Sequence, residues 1–329
     1  MKLSKLSICA VILLSPTAAI AQQAPAPAEA QPFKAGMPVG VTSRDGAYTP
    51  ASDNVKMYGA LVSTESCSYD AERNLIVALN RGAPQDRFPN DAFVSLINHD
   101  GSVHTPRWIG ANRNGLVLNE PFGSDIINGT LYAADSDGGT ADGVARTAVI
   151  RMFDMATGAP SGEIPVPDVA WFNDIEVADD GTIYASQTGG GRDNDPMRIY
   201  KINPDGTSSI FLDGAPLASP NGVGIDGEGN VVVVNIGDDA VLTFSPDGKL
   251  LNTEHAAQPG SDGLVIMADG TKYVSSVTQG GISKIVPGQP AELITTGVPS
   301  AASMCYDAEA NQLVIPLNNN NGLAFLKLD

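Results

Sequence analysis

Residues 180–186 read DGTIYAS, a tight Asp-Gly turn followed by a short run of β-branched, aromatic and small residues. A turn of this kind feeding such a run predicts a hairpin that leads into a β-strand. The pattern recurs as NGTLYAA at 128–134, EGNVVVV at 228–234 and DGTKYVS at 269–275. Looser copies are RNLIVAL at 73–79 and NQLVIPL at 311–317. The chain therefore contains six related units.

A second element precedes each of these turns and has a polar, aromatic or small residue at its centre. The central residues are Glu65, Phe122, Asn173, Asn221, Asp262 and Ser303, spaced 41 to 57 residues apart. Repeats of about 40 to 50 residues with evenly placed short strands are typical of four-stranded propeller blades. The sequence therefore predicts an all-β protein, a six-bladed β-propeller of four-stranded antiparallel blades. A seventh blade would have to lie in the least regular stretch, residues 80–119.

Blade geometry gives the six central residues a common place. The innermost strand of each blade lines the central channel, so these residues are expected to form a ring at one mouth of that channel. The chain returns from the turn on the second strand, and the loop that follows must emerge on the same face as the ring. These loops are Gly-rich and polar, as in QTGGGRDND from Gln187. Loops of this composition at a channel mouth are expected to face substrate.

Four of the ring residues carry oxygen ligands, namely Glu65, Asn173, Asn221 and Asp262. Taken singly, each is typical of a solvated or turn residue. At equivalent positions of a closed ring, however, acidic groups would crowd a narrow channel at a cost in desolvation and repulsion. A hard divalent cation removes that cost and prefers carboxylate and amide oxygens. The pattern predicts a Ca²⁺ site, with Mg²⁺, Mn²⁺ and Zn²⁺ as alternatives.

Four segments resemble the signature blades of the gluconolactonase family, also known as the SMP-30 and regucalcin or LRE-like family. They read TESCSYDAERN at 64–74, FNDIEVADDGTIYAS at 172–186, SPNGVGIDGEGNVVVV at 219–234 and GSDGLVIMADGTKYVSS at 260–276. The paraoxonases and the squid-type phosphotriesterase are related propellers. The resemblance implies that Glu65, Asn221 and Asp262 bind a metal. It also implies that Asn173 is a further ligand or a substrate contact.

The resemblance implies a metal-dependent lactonase or esterase, with two departures from the family pattern. Trp171 stands where sugar-lactone hydrolases commonly have arginine, and Phe122 stands where paraoxonase-like enzymes have histidine. Both favour a bulky or aromatic lactone or ester, with Trp171 and Phe122 as an apolar wall, although Trp171 could instead pack between blades. Asp262 is the expected base or nucleophile, and Asn173 is expected to orient substrate or water. The alternative is a non-catalytic periplasmic propeller that binds a ligand or protein and uses the metal structurally.

The N-terminus predicts export. Lys2 and Lys5 precede a short apolar run and a small-residue cleavage site, which indicates a signal peptide over residues 1–21. Residues 22–36 are an Ala/Pro-rich linker, and 37–329 form the propeller. The expected location is periplasmic or secreted, without membrane insertion after cleavage. A formal charge of −18 disfavours nucleic acid as a partner, so the expected partner is a small lactone or ester bound by a monomer.

Cysteine and histidine usage excludes several other chemistries. Cys9 lies in the signal peptide, which leaves Cys67 and Cys305 in the first and last repeats. These two are expected at positions one residue out of phase within their repeats, so their pairing stays open. The sequence has no G-x-S-x-G nucleophile elbow. His99 and His104 flank a turn and are expected to be exposed rather than catalytic.

Overall fold

The computed structural model describes residues 40–43, 45–58, 61–83, 88–110, 116–139, 143–190 and 195–329. The expected signal peptide and linker lie outside the described residues. A hairpin of β1 (Gly40–Thr42) and β2 (Tyr48–Pro50) comes first, followed by β3 (Val55–Tyr58). One 3₁₀ turn, Asn318–Asn320, is the helical element of the described chain. No helix in these ranges is long and apolar enough to cross a bilayer.

The strands from β3 onward form six antiparallel four-stranded sheets, which are the blades of a six-bladed β-propeller. Blades 1 to 3 comprise β4 (Thr64–Asp70), β5 (Leu75–Asn80), β6 (Phe93–Ile97), β7 (Val103–Gly110); β8 (Ser124–Ile127), β9 (Thr130–Asp137), β10 (Thr147–Asp154), β11 (Pro160–Val166); and β12 (Ile175–Val177), β13 (Ile183–Gln187), β14 (Arg198–Ile202), β15 (Ser208–Asp213). Blades 4 to 6 comprise β16 (Pro220–Ile225), β17 (Val231–Asn235), β18 (Ala240–Phe244), β19 (Leu250–His255); β20 (Ser261–Ile266), β21 (Lys272–Ser276), β22 (Ile282–Ile285), β23 (Glu292–Thr295); and β24 (Cys305–Asp307), β25 (Gln312–Leu317), β26 (Gly322–Lys327) with β3. The stretch 80–119 contains the outer strands of blade 1, which excludes a seventh blade there.

Blade 6 closes the ring with a strand from the other end of the chain. β3 pairs with β26, with Met57 opposite Ala324, and so forms the outermost strand of that blade. The six innermost strands contact their neighbours all the way round, including β24 against β4. A strand at the N-terminal side thus completes the C-terminal blade. The repeats predict that the first and last blades meet, but they do not predict that a strand before blade 1 completes blade 6.

A disulfide joins Cys67 on β4 to Cys305 on β24, with an S–S distance of 2.04 Å and a Cα–Cα distance of 5.5 Å. The expectation that the two cysteines lie one residue out of phase within their repeats was wrong. Each cysteine lies two residues after the ring residue of its blade, Glu65 or Ser303, and so both lie at the same depth in the channel wall. A direct backbone bond from the Ser303 N–H to the Glu65 carbonyl (3.1 Å) fixes this alignment.

The hydrophobic core lies between successive blades. Inner strands are covered on both faces, and they therefore read as unbroken apolar runs such as Val231–Val234, which is fully buried. One cluster combines Ile150 of blade 2 with Phe172 and Ile183 of blade 3. Burying a large apolar side chain contributes about 1.5 to 3 kcal/mol, so these clusters hold the blades in fixed relative positions.

A β-bulge marks the ring residue in three blades, those that carry Glu65, Asn221 and Asp262. In blade 4, Pro220 lies opposite Asn235 and Val223 opposite Val233, which leaves Asn221 and Gly222 facing Val234 alone. The same shift brackets Glu65 in blade 1 and Asp262 in blade 5. A bulge bends the strand and re-aims one side chain. The ring residue is therefore released from the regular alternation of the strand.

Blades 2 and 3 have a comparable two-against-one pairing just before their inner strands, β8 and β12. The Phe122 N–H donates to Ala134 (2.8 Å), and the Ala134 N–H donates to Gly123 (2.9 Å). Glycine often follows the ring residue because neighbouring inner strands approach closely at this level. A Cβ at Gly222 would lie 2.5 Å from the Asp262 carbonyl oxygen. The close approach of neighbouring strands thus explains why glycine often follows the ring residue in the sequence.

Candidate active site

Three polar ring residues from three blades meet in the channel. Glu65, Asn221 and Asp262 are buried, and the Asn221 amide nitrogen donates to Asp262 Oδ2 at 3.1 Å. Three further oxygens, Glu65 Oε2, Asn221 Oδ1 and Asp262 Oδ1, are buried without a hydrogen-bond partner. A buried oxygen without a donor costs roughly 1 to 3 kcal/mol. Three at equivalent positions indicate a place where an electropositive group is expected.

The electrostatics of these carboxyls support the same conclusion. Burial, and then the negative charges of Glu65 and Asp174, raise the pKa of Asp262, against the opposing charge of Arg81. Burial also raises the pKa of Glu65, with Arg81 lowering it and Glu120 raising it further. Charged carboxylates are therefore disfavoured here unless a cation offsets them.

The donor set fits a hard divalent cation through carboxylate and amide oxygens. Within the described residues, no three His, Cys, Asp or Glu side chains form a metal-ligating cluster. The candidate ligands are two carboxylates, Glu65 and Asp262, completed by amide oxygen. Such a set suits Ca²⁺ or Mg²⁺, which also retain water ligands.

Asn173 lies at the level of the ring but is held separately. Its amide nitrogen donates to Thr188 Oγ1 at 2.9 Å, and its backbone carbonyl accepts the Gly123 N–H at 2.7 Å. Among the described residues, no hydrogen bond joins the Asn173 side chain to Glu65 or Asp262. The structure thus orients Asn173 from the loop after β13 and leaves its role as a ligand or substrate contact a prediction.

Asp174 is a buried carboxyl that the sequence analysis did not single out. Its Oδ2 accepts the Val223 N–H at 3.2 Å, and its Oδ1 accepts the Ser303 hydroxyl at 3.3 Å. Burial raises the pKa of Asp174 to about 8, outweighing these hydrogen bonds. The Asp that follows Asn in the FND segment was the signal that could have identified it.

Two further carboxyls, Asp125 and Glu176, lie on the neighbouring inner strands β8 and β12. Asp125 Oδ2 accepts the Val177 N–H at 3.0 Å. A side chain of blade 2 thus hydrogen-bonds a backbone N–H on the innermost strand of blade 3. Burial raises the pKa of Asp125. Burial, and then the charges of Asp125 and Asp174, raise the pKa of Glu176 well above its usual value.

The side chains of Phe122 and Trp171, the residues of the predicted apolar wall, contact each other, and their role in binding substrate stays a prediction. The rings of Phe122 and Trp171 lie 4.8 Å apart with an angle of 40° between their planes. Phe122 is buried, whereas Trp171 is half-buried. The Trp171 indole thus contacts Phe122, one of the six central residues that form the channel ring.

Two arginines, which the sequence analysis missed, also lie at this wall. Arg81 forms an ion pair with Glu65 Oε2 at 3.5 Å, without an aligned hydrogen bond. Glu120 binds Arg81 at 2.6 Å through one oxygen and Arg146 at 3.1 Å through the other. Aromatic side chains and paired charged side chains therefore lie together here, and the wall is not purely apolar.

His99 differs from its expected exposure. Its Nδ1 lies 2.8 Å from Asp307 Oδ2, and its side chain is only 26% exposed. Gln312 donates to the same carboxylate oxygen and to the His99 carbonyl. This cluster joins blades 1 and 6, because Asp307 and Gln312 belong to blade 6. The expectation of an exposed turn residue was wrong for His99, since ring closure covers it.

The fold and the ring define a class, a six-bladed β-propeller with a buried oxygen-rich site at its channel mouth. The chain belongs to the SMP-30/gluconolactonase/LRE-like family, whose model matches residues 59–317. That match includes every ring residue, from Glu65 to Ser303. The predicted family and fold are thereby confirmed, and the family supports a lactonase-like propeller. A search among curated proteins gave no match.

Solved structures share the fold at low identity. A structural-genomics candidate gluconolactonase is 16% identical, with a TM-score of 0.59 over 84% of this chain and 93% of that one. A gluconolactonase from Xanthomonas campestris is 17% identical, with a TM-score of 0.57 over 92% and 97%. Virginiamycin B lyase from Staphylococcus aureus is 13% identical, with a TM-score of 0.56 over 84% and 100%.

Proposed function

We propose that this protein is an exported, metal-dependent hydrolase that opens a small lactone or ester at the mouth of its channel. The observation that carries the proposal is the convergence of three buried oxygens without a hydrogen-bond partner, on Glu65, Asn221 and Asp262. Membership of a family that includes gluconolactonases supports a hydrolase of this type.

Glu65 and Asn221 anchor the cation, with Asp262 as the third ligand and Asn173 as a further ligand or substrate contact. Ca²⁺ is the first choice, and Mg²⁺, Mn²⁺ or Zn²⁺ are alternatives. Such a cation supplies positive charge that polarises a carbonyl and lowers the pKa of water. The residues of the chain provide the remaining functions, which are proton transfer, orientation and exclusion of water.

Asp262 is the proposed base. Asn221 holds its Oδ2 by a hydrogen bond of 3.1 Å, so the carboxylate plane is fixed relative to the ring. Burial and neighbouring negative charge strengthen it as a proton acceptor. It takes a proton from the water whose oxygen adds to the carbonyl carbon, and gives that proton to the alkoxide that leaves when the acyl C–O bond breaks. Phe122 and Trp171 exclude water from the acyl side of the substrate.

Export is proposed from two independent features. The expected signal peptide directs the chain out of the cytoplasm, and Cys67 and Cys305 are placed to form a disulfide. Disulfides form and persist in oxidising compartments such as the periplasm. We therefore propose a periplasmic or secreted location.

Two rival functions are separated by particular residues. Virginiamycin B lyase shares the fold, and its histidine-to-alanine variant was solved as catalytically inactive. The three histidines of this chain lie in a turn of blade 1 (His99), on β7 (His104) and on β19 (His255), away from the ring. The second rival, a non-catalytic binding propeller with a structural metal, would not require an ionisable group at Asp262.

The test is hydrolysis of a panel of lactones and esters by metal-stripped protein before and after single cations are restored. We expect activity to return with one cation and to fall at least a hundredfold in Asp262→Asn at saturating cation. The exposed turn variant Asp247→Asn is the control. Cation binding with no turnover of any lactone or ester would favour the binding propeller, and cation-independent turnover would overturn the metal mechanism.

A further inference from the structure

We propose that a groove between blades 2 and 3 binds a small aromatic cation, which is a flat aromatic group that carries an amine or guanidine. The groove lies at the end of the blades that carries the Asp-Gly turns, opposite the channel ring, so the site is independent of the proposed hydrolysis. Its volume is about 450 Å³. Sites for small molecules usually have volumes of about 300 to 1,000 Å³.

Apolar side chains from both blades form the walls of this groove. Blade 2 contributes Tyr132 on β9, Met152 on β10 and Ile164 on β11, and all three are half-buried. Blade 3 contributes Ile183 on β13 and Pro204 in the turn between β14 and β15. A flat apolar group in the groove would therefore be removed from water on two sides, which favours binding.

The corresponding space between blades 1 and 2 shows how the chain itself fills such a gap. A Cβ at Gly158, in the outer turn of blade 2, would lie 3.1 Å from the Trp108 indole and 3.2 Å from Ile109. The guanidinium carbon of Arg73 lies 4.3 Å from the centre of the Trp108 ring. An indole and a cation stacked on it thus occupy the space between these two blades.

The groove between blades 2 and 3 lacks both of these groups. Ile164 corresponds in position to Ile109, since a Cβ at Gly206, in the outer turn of blade 3, would lie 3.7 Å from Ile164. The residue before Ile164 is Glu163 rather than a tryptophan. The turn between β8 and β9, residues 128–129, has Asn and Gly where the turn between β4 and β5 has an arginine. A ligand with an aromatic ring and a cation would supply what blade 1 supplies from its own side chains.

Glu163 provides negative charge on one side of the groove. Its side chain is 58% exposed and pairs with Arg151 at 2.7 Å. The same guanidinium also binds Asp135 and Asp137, so three carboxylates share one positive charge. The charge beside the apolar walls is therefore negative on balance, which favours a cationic ligand over a neutral one.

Asp205 provides a second carboxylate on the other side, in the outer turn of blade 3. Its Oδ1 accepts the Thr207 N–H at 2.9 Å and the Thr207 hydroxyl at 2.6 Å. These hydrogen bonds lower the pKa of Asp205, so the group is charged at neutral pH. The side chain is exposed, and no cationic side chain of the described residues contributes to that pKa. A ligand cation can therefore reach it.

The combination of walls and carboxylates selects among ligands. A neutral aromatic compound would use only the apolar walls, and an inorganic cation would use only the carboxylates. Tryptamine carries both an indole and an ammonium group, and is the probe closest in chemistry to the stacked Trp108 and Arg73. Tryptophol is its neutral counterpart, because a hydroxyl replaces the ammonium.

The experiment is calorimetric titration of tryptamine and tryptophol into the cation-loaded protein and its variants. We expect the wild type to bind tryptamine about fivefold more tightly than tryptophol, and we expect added salt to reduce this preference. Asp205→Asn and Glu163→Gln should each reduce the preference to about twofold or less. Asp247→Asn is the matched control, because Asp247 lies in the same Pro-Asp-Gly turn sequence of blade 4. It should keep the wild-type preference.

A second variant tests the location of the ligand. Glu163→Trp introduces an indole before Ile164, as Trp108 precedes Ile109, and should abolish measurable binding of both compounds. Melting curves confirm that each variant is folded. Equal affinities for the two compounds in the wild type, or an unchanged preference in Asp205→Asn and Glu163→Gln, overturn the proposal. Binding that survives Glu163→Trp but is lost in Trp171→Ala would place the ligand at the channel mouth and overturn it as well.

Discussion

Replacing Asp262 by Asn should change stability in opposite directions with and without a cation. Asp262 is buried beside Glu65 and Asp174, and these surroundings raise its pKa well above the usual value. Asparagine keeps the shape and can still accept the bond from Asn221, but it removes the buried charge. The metal-free variant should therefore be more stable than the wild type at pH 8, where the unfolded chain holds this carboxyl charged.

The cation should reverse this order. A ligand present at about a hundred times its Kd stabilises the folded state by about 2.7 kcal/mol. For a domain of this size, 1 kcal/mol shifts Tm by roughly 2 to 4 °C, so Ca²⁺ should raise the Tm of the wild type by about 5 to 10 °C. Asp262→Asn loses a charged ligand, and its Tm should rise by less than about 2 °C under the same conditions.

Thermal unfolding with chelator and with titrated Ca²⁺ measures both effects. Asp247→Asn is the control, because Asp247 is an exposed turn residue that bonds only to nearby backbone and Ser245. The reasoning is refuted if metal-free Asp262→Asn is less stable than the wild type and still gains the full increment with Ca²⁺. That result would place the cation elsewhere and make Asp262 a structural residue.

Three further outcomes are expected. Cys67→Ser with Cys305→Ser should lower the free energy of unfolding by up to about 5 kcal/mol, measured by denaturant titration, because the disulfide spans 238 residues; an unchanged midpoint would contradict it. Trp171→Ala should raise KM for apolar or aromatic esters by at least tenfold and for small polar lactones far less; equal losses would remove the specificity argument. The free energy of unfolding of the metal-free wild type should fall as pH rises above about 4.5, because Glu176 binds its proton more tightly when folded. Glu176→Gln should flatten that slope, and an unaltered pH profile would exclude the contribution.

The repeats carried enough information to predict the blades, the ring and the family. Asp-Gly turns at regular spacing are local signals, since the turn residues and the following apolar run determine the hairpin by themselves. Once six such hairpins close into a ring, equivalent positions must share one level of the channel. Glu65, Asn221 and Asp262 could therefore be assigned together without knowledge of any contact.

Features that depend on long-range pairing were not predictable in this way. β3 has four residues and no turn signal of its own, and only its pairing with β26 makes it a blade strand. Arg81 and Arg146 lie on loops of different blades, and nothing in their local sequence indicates that Glu120 joins them. Asp174 was hidden because a turn residue and a buried channel carboxyl look the same in sequence.

The wrong relative position predicted for the two cysteines shows a second limit of prediction from sequence. Cys67 and Cys305 each follow a ring residue by two positions, but the irregular ASM segment at 302–304 obscured the alignment of the last repeat. An error of one residue changes the face on which a strand side chain lies. A disulfide prediction is therefore only as good as the register of both strands.

The bulges at Glu65, Asn221 and Asp262 make these three ring residues independent of the strand pairing on either side. A residue outside the ladder can be exchanged without breaking strand pairing, so Glu, Asn and Asp occupy corresponding positions in one molecule. The scaffold can therefore change its chemistry one blade at a time, at little risk to folding. A library that randomises only these three positions, with the glycines beside them kept, samples new binding centres on an unaltered scaffold.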